Sequence, residues 1–356
     1  MKSSKNKRIL FLALSGIGNL IMQLPAITAV KKQHPAWHIT VCVAPRGTAE
    51  IARSQPGIDD VLEMPIRANA MQHIKNIITL HRRSFDVGVA LSPGQLLKSA
   101  AYLFLAGIPV RIGNSYPFNH NPHATLFLTK AFHERPGIHD IEQNLTLITP
   151  LCDTIPHNSN YELIIPEQNI QEAKTIFAPI SYKVQAISYV GIHAGSALGF
   201  AWKRWPLDRF AEVARLYSRK HPSARFIIFG SHNEQTEKMR LADMINNHCS
   251  ARIADTVTAS LMTTAATIQR CSLFISNDSG LMHIAAAVGV PTIGLFGPTD
   301  ECQTGPRGAK SVAFRAPGTK PAYNTERAHY FGTEPHISML AITPQQVLDT
   351  IGSMAV

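Results

Sequence analysis

RILFLALSGIGNLIMQLPAITAVKKQHPAWHITVCVA, residues 8–44, is the stretch that decides the fold class. Arg8–Leu14 is a short and almost wholly apolar run, the pattern of a strand buried on both faces. Gly16–Gly18 interrupts it as a loop, Leu20–Gln33 continues at helical spacing, and His38–Ala44 is a second buried run. Strand, glycine loop, helix and strand in that order make a βαβ unit, and hence a parallel sheet.

Working outward, Val61–Met64, Val87–Leu91 and Val110–Gly113 read as further strands separated by helices. The alternation loosens across Pro150–Gln185, where Pro156, Pro166 and Pro179 mark an interdomain region. A second series follows. Gln185–His193, Arg225–Gly230, Ser272–Ser276 and Thr292–Phe296 read as strands, and Leu207–His221, Glu234–Asn247, Ser260–Arg270 and Leu281–Val288 as helices. Ala316–His336 reads as loop and Pro344–Met354 as a closing helix. The expected fold is α/β, with two Rossmann-like doubly wound domains facing a central cleft, over residues 1–165 and 180–342. The closing helix, 343–356, is expected to pack back on the first domain.

Composition bounds the function. At 356 residues, 45% hydrophobic and 16% charged, the chain suits two domains and carries enough apolar surface to exclude disorder. Cys42, Cys152, Cys249, Cys271 and Cys302 are scattered without a C-x-x-C pair, which fits a reducing cytoplasm and neither a disulfide framework nor a zinc site. Gly16-Ile17-Gly18-Asn19 follows the first apolar run where a secretory signal needs a longer apolar core and a cleavage site. The longest uncharged run, Ser279–Thr299, holds His283, four glycines and two prolines, so a helix and a strand are expected there and no membrane span. Net charge is +10, of which +7 falls within residues 1–49: Lys2, Lys5, Lys7, Arg8, Lys31, Lys32 and Arg46, with no acid before Glu50. A nucleic-acid binder would interleave aromatic residues with such cations, and this region holds only Phe11 and Trp37.

Four segments carry chemistry. Ser15-Gly16-Ile17-Gly18-Asn19 lies between a strand and a helix, where glycines admit a ligand to backbone N–H groups. A dinucleotide fingerprint would need a third glycine, where Ile21 stands, and an acid after the second strand, where Ala44-Pro45-Arg46 stands. A structural turn with Asn19 as helix cap is the alternative. Gly191-Ile192-His193-Ala194-Gly195-Ser196, followed by Trp202-Lys203-Arg204-Trp205-Pro206, offers amides, a hydroxyl and two cations to a phosphate. The alternative is a helix start at Pro206 with its aromatic neighbours packed beneath. Ser276-Asn277-Asp278-Ser279-Gly280-Leu281-Met282-His283 ends a strand and opens a helix, which suits either a diphosphate or simple capping. Ser231-His232-Asn233-Glu234 follows another strand, and Glu234 either accepts ribose hydroxyls or only faces the helix dipole. There is no hydrolase elbow, P-loop, CxxC or HExxH, and His120 and His123 lack a third ligand.

Taken in order, these segments resemble glycosyltransferase family 9, the ADP-heptose:lipopolysaccharide heptosyltransferases. The resemblance runs over about residues 8–310. It is clearest in Lys203-Arg204-Trp205-Pro206, in the run Asn277 to Pro291, and in Leu295-Phe296-Gly297-Pro298-Thr299, and weaker at His139–Leu147. It implies a GT-B fold and inverting, metal-independent transfer of a sugar, heptose from ADP-heptose, onto a lipopolysaccharide core or related glycan. No cofactor and no metal are implied. On the donor side it implies His193, Gly195, Ser196, Lys203, Arg204, Glu234, Asp278, Ser279, Gly280 and His283, with Ser196 and Lys203 on the phosphates and Glu234 on the ribose. On the acceptor side it implies Gly16, Gly18 and Asn19.

Asn19 stands where the family has its Asp base, and Ala90 stands where it has a second acid. An amide positions a hydroxyl but cannot take its proton. His139, Asp140 or Asp278 supplies the base, or the leaving phosphate takes the proton, or the chain is a weak or silent member. A GT-B enzyme using another nucleotide sugar is a further alternative, and a nicotinamide oxidoreductase is disfavoured by the missing acid. The expected partners are a nucleotide-sugar donor and an anionic glycolipid, met at the inner face of the inner membrane by a cytoplasmic, peripheral protein whose basic leader, Lys2 to Arg8, faces the lipid.

Overall fold

The computed structural model describes residues 6–45, 47–65, 68–94, 96–115, 122–156, 161–177, 188–197, 199–247, 252–322 and 332–354. The chain divides into two compact units after Ile164.

The first unit contains β1 (Arg8–Ala13), α1 (Ile17–Gln33), β2 (His38–Val43), α2 (Thr48–Ser54), β3 (Asp60–Glu63) and α3 (Ala70–Arg82). It continues with β4 (Val87–Ala90), α4 (Leu96–Leu105), β5 (Val110–Ser115), β6 (Lys130–His133) and α5 (Asp140–Leu147). Its six strands are all parallel, in the order β3-β2-β1-β4-β5-β6. The run that decided the fold class behaves as expected, since Ile9–Ala13 is wholly buried at the sheet centre.

The second unit begins with α6 (Glu167–Phe177), β7 (Ser188–His193), α7 (Leu207–Lys220), β8 (Ala224–Ile228), α8 (Gln235–Asn246), β9 (Ala254–Thr256) and α9 (Leu261–Gln269). It closes with β10 (Leu273–Asn277), α10 (Gly280–Ala287), β11 (Thr292–Phe296), α11 (Glu301–Thr304), β12 (Ser311–Arg315), α12 (Ile337–Leu340) and α13 (Pro344–Ser353). Its order is β12-β11-β10-β7-β8-β9, again all parallel. Read from the unit's own first strand this is the same order as in the first unit, so each sheet reverses direction beside its first strand. Ligands of open α/β sheets bind at that switch point, outside the carboxyl ends of the two central strands. In the first unit these are β1 and β4; in the second they are β7 and β10.

The apolar stripes dictate the packing. α7 buries Phe210, Val213 and Ala214 against β7 and β8 residues, and each large side chain so buried contributes about 1.5–3 kcal/mol. α10 ends at Val288, and Gly289 takes φ 81°, the left-handed conformation that closes a helix without a Cβ penalty.

Several expectations are corrected. α1 starts at Ile17, so Gly18 and Asn19 lie in its first turn; the cap is Gly16, in extended conformation, and Asn19 caps nothing. The expected interdomain stretch contains α6, because Pro166 directly precedes a helix instead of interrupting one. β6, β9 and β12 went unread because all three are three to five residues long and carry polar residues. The closing helix, α13, packs on α7, and its Val347 and Ile351 join the second unit's core, where they bury more apolar area than a polar surface would offer. Among the described residues no helix is long and apolar enough to cross a membrane.

Candidate functional site

Most of the expected donor residues gather at the second switch point. β7 ends at His193, paired in register with Ser276 of β10. Asn277, fully buried, fastens the loops that follow. Its Oδ1 accepts the Trp205 backbone N–H at 3.0 Å and its Nδ2 donates to the Ala194 carbonyl at 2.7 Å. A buried amide with both ends engaged fixes two chain segments at once.

From this frame a polar chain runs across the strand ends. His193 Nδ1 and Ser279 Oγ are 2.8 Å apart, and Ser279 Oγ lies 3.0 Å from Ser276 Oγ. Ser279 also caps α10 by accepting the Met282 N–H. On the other side of the imidazole, His193 Nε2 is 3.4 Å from Glu234 Oε1. Glu234 Oε2 accepts from both the backbone N–H and the hydroxyl of Ser231, each at 2.7 Å, closing a capping box. Burial pushes this carboxyl up, but His193 and the two Ser231 donors outweigh it and hold it at about 2. Glu234 Oε1 itself is buried and has no hydrogen-bond partner. Glu234 thus closes a helix start with one oxygen and turns the other toward His193.

Gly195 makes this possible. A Cβ there would lie 1.7 Å from Glu234 Oε1 and 2.8 Å from His193 Nε2.

Lys203 and Asp278 form the second feature. Lys203 Nζ donates to Asp278 Oδ2 at 2.6 Å, and the ammonium lies 5.4 Å from the Phe200 ring centroid and 5.7 Å from that of Trp202. Burial of Asp278 pushes its carboxyl up, but the charge and hydrogen bond of Lys203 and the charge of His283 outweigh this and hold it below the usual carboxylate range. Asp278 is 8% exposed on its side chain and Lys203 18%, so the cation keeps the more open position. Gly280 opens α10 beside them, with its first amides directed at the strand ends.

Ser196 and Arg204 are tied together: Arg204 Nε donates to Ser196 Oγ at 3.1 Å and its terminal nitrogen to Glu237 at 2.7 Å. Below them opens a cavity of about 360 Å³ lined by Gly195, Trp205, Pro206, Phe229, Glu234 and Lys238 among others. Lys238 is a residue the sequence reading missed. It is 3% exposed, and its ammonium donates to the Val257 carbonyl at 2.8 Å, the Gly230 carbonyl at 3.1 Å and the Thr258 hydroxyl. Burial lowers its pKa, against the pull of the Glu234 charge. In sequence it looks like any exposed helical lysine.

The acceptor-side residues Gly16, Gly18 and Asn19 sit at the first switch point, where the side chains that fasten the loops are amides. Gln23, one turn after Asn19 on α1, is fully buried and donates to the Ser92 carbonyl at 3.1 Å. Asn144 of α5 holds the same residue from the other side, with Oδ1 accepting the Ser92 N–H at 2.8 Å and Nδ2 donating to its carbonyl at 2.7 Å. α1 and α5 pack together, which brings Asp140, 3% exposed, to the same end of the unit as Asn19. His139 is buried as the α5 cap, with Nδ1 accepting the Ile141 N–H. Ala90 ends β4. Cys42, Cys152 and Cys271 are buried thiols and Cys302 is an exposed one. Lys2, Lys5, Arg46, His120, Cys249 and the side chain of His123 lie outside the described residues.

Comparison with known proteins gives the family and the fold. The sequence model of Glycosyltransferase family 9 (heptosyltransferase) matches residues 74–332. Lipopolysaccharide heptosyltransferase 2 of Escherichia coli K12 is 23% identical over 98% of each chain. Among solved structures, the family 9 glycosyl transferase of Veillonella parvula superposes with a TM-score of 0.82 at 22% identity, covering 99% of this chain and 98% of that one. Escherichia coli heptosyltransferase WaaC with ADP gives 0.73 at 21% identity, covering 97% of this chain and 99% of that one.

Proposed function

The chain belongs to glycosyltransferase family 9, the heptosyltransferases, and from that premise we propose that it moves heptose from ADP-heptose onto a lipopolysaccharide core or related cell-surface glycan. Its two doubly wound units have the GT-B fold of the family. The observation that carries the proposal is the Lys203–Asp278 pair beside the start of α10 at the second switch point. A diphosphate placed there meets an ammonium and helix amides, which stabilise the charge that builds on the leaving group. The proposed reaction draws on these groups and uses no metal. Glu234 Oε1, a buried acceptor without a partner, suits a ribose hydroxyl, and the adjoining cavity suits the base.

In this mechanism an acceptor hydroxyl attacks the anomeric carbon opposite the diphosphate. The new C–O bond forms as the bond to phosphate breaks, the diphosphate leaves with the electron pair, and the configuration inverts. Asn19 orients the hydroxyl. Of the groups considered for the base, His139 Nδ1 is engaged as a cap and Asp278 is paired with Lys203, which lowers its carboxyl and makes it a weak base, so the reading assigns the proton to Asp140 or to the departing diphosphate. Asn19 favours one second reading, a member that binds donor and transfers slowly or not at all.

The test is transfer from ADP-heptose to a heptose-deficient acceptor with and without chelator, the product anomer being read by NMR, alongside calorimetry with ADP and UDP. An inverted product formed at full rate in chelator supports the proposal. ADP binding without product supports the second reading, and no binding of any nucleotide diphosphate refutes both.

A further inference from the structure

α3 and α4 lie side by side on one face of the first sheet. Their inner residues, Ile77 and Leu80 of α3 and Tyr102 and Leu103 of α4, share a core with Leu10 and Leu12. Both helices are also apolar on the side turned away from the sheet. Met71, Ile74 and Ile78 follow one another at i, i+3 and i+7 on α3, at 66%, 57% and 43% exposure. On α4 Leu97, Phe104 and Leu105 are exposed. The short 3-10 helix Pro122–Phe127, packed on α4, adds Leu126 at 75%. Of the eleven exposed large hydrophobic residues among those described, seven lie on these three elements. Scattered apolar residues are ordinary on a surface, but a gathering of this kind marks an interaction face.

The charge around the face says what it meets. Residues 64–133 contain seven cations and one acid, Asp86, which accepts the Arg8 backbone N–H at 2.7 Å; of the cations Arg83 is paired with Asp60 of β3. Lys75 stands exposed on α3 between the apolar residues and Arg82 one turn beyond the last of them, and neither has an ion pair among the described residues. Over the whole sequence, residues 1–133 carry the entire net charge of +10, and residues 134–356 sum to zero. Apolar side chains interleaved with cations on an exposed helix face are the chemistry of an interfacial helix, with the apolar groups entering the acyl boundary and the cations meeting anionic headgroups. A symmetric contact with a second copy would set Lys75 and Arg82 against their own equivalents, which like-charge repulsion disfavours.

We infer that the outer face of the α3–α4 layer, with Leu126, docks the first unit on an anionic lipid bilayer. This deepens the functional reading above, resting on it only for the membrane-borne acceptor, and it places the contact on folded helices instead of on the basic leader alone.

The experiment is co-sedimentation of the full chain with vesicles of phosphatidylethanolamine and phosphatidylglycerol, against vesicles of phosphatidylcholine. We expect binding to the anionic vesicles, weakened by salt. Lys75→Gln/Arg82→Gln should lower the partition coefficient about fivefold per cation. Ile74→Ser/Ile78→Ser should lower it at least tenfold, and because all four side chains are exposed the thermal midpoint should not move. ADP affinity and transfer to a delipidated acceptor should equal wild type in both variants, which separates this test from that of the transferase reading. Wild type that binds vesicles but no nucleotide would support docking while the transferase reading fails. Unchanged partition in both variants overturns the inference. So does loss of all vesicle binding on deletion of residues 1–6 alone, or a lipid-free dimer that Ile78→Ser dissociates.

Discussion

Gly16 and Gly195 look alike in sequence: each stands two or three residues after a buried strand and shortly before a helix or helical turn. The structure separates them, and Gly195→Ala tests the separation. A Cβ at position 16 meets nothing within 4 Å, and the backbone there is extended at φ −79°, so Gly16→Ala should cost only the preference of an N-cap for Gly over Ala, about 0.5–1 kcal/mol. A Cβ at position 195 falls 1.7 Å from Glu234 Oε1 and 2.8 Å from its Cδ, far inside contact distance. The strand end cannot retreat, because Asn277 Nδ2 holds the neighbouring Ala194 carbonyl at 2.7 Å. Glu234 must therefore move, which breaks its two 2.7 Å hydrogen bonds with Ser231 and its approach to His193. Charge-assisted hydrogen bonds contribute about 1.5–3 kcal/mol each, partly regained from water once the carboxylate swings out. A net cost of about 2 kcal/mol follows, equivalent to a fall of roughly 4–8 °C in the melting of a unit this size.

Under the proposed reading donor affinity should fall more than tenfold, since Glu234 is the group offered to the ribose. The decisive comparison is a double-mutant cycle by calorimetry with ADP and by thermal melting. If the clash acts through Glu234, then Glu234→Ala costs wild type its full effect and costs the Gly195→Ala protein almost nothing. Additive losses, or a Gly195→Ala protein that binds ADP like wild type, would refute the reasoning.

Lys203→Ala should weaken ADP binding at least tenfold and destabilise the fold by about 3–5 kcal/mol, because Asp278 would be left ionised and buried without its cation; Asp278→Asn in that background should restore stability but not affinity, and unchanged ADP affinity in Lys203→Ala would remove the donor site from this position. Asn19→Asp, at an exposed-edge position in the first turn of α1, should preserve or raise transfer, as timed by product release; a large loss would show that the amide has a role of its own. Glu234, held at about 2 against an ordinary 4.5, contributes stability above pH 4.5 that is lost as pH falls toward 2, about 3 kcal/mol in total. Denaturant midpoints taken down that range should fall less steeply for Glu234→Gln than for wild type.

What was legible in the sequence was what is local. The buried strands β1, β2, β7, β10 and β11 are continuous apolar runs and announce themselves by composition. The Ser231-to-Glu234 capping box was readable in principle, since its partners are three residues apart. The ion pair of Lys203 with Asp278 spans 75 positions and the Asn277 clamp on Trp205 spans 72, so no window contains either. Both ends of each were nonetheless in view, because strand ends at a switch point are where such residues accumulate. Lys238 was invisible for a different reason. Its burial depends on three acceptors from two separate loops, and an amphipathic helix gives no sign of which lysine will find them.

Two sheets of one topology have been given opposite chemistry at equivalent places. At the second switch point the groups include full charges, Lys203 paired with Asp278 and the Glu234 carboxylate beside His193. At the first, the equivalent ground holds Asn19, Gln23, Ser92 and Asn144, and Gln23 Oε1 is buried without a partner. Amides donate and accept hydrogen bonds without a net charge. A diphosphate needs opposed charge to be held and released, whereas a sugar hydroxyl needs only orientation, and fixed neutral dipoles orient it without trapping it. Under the proposed reading, Asn19 then belongs to a neighbourhood of amides that share one task and is not an isolated defect. Its replacement by Asp would put a carboxylate among those amides. The outcome of that substitution therefore decides between a catalytic site that lacks its base and one built to work through position.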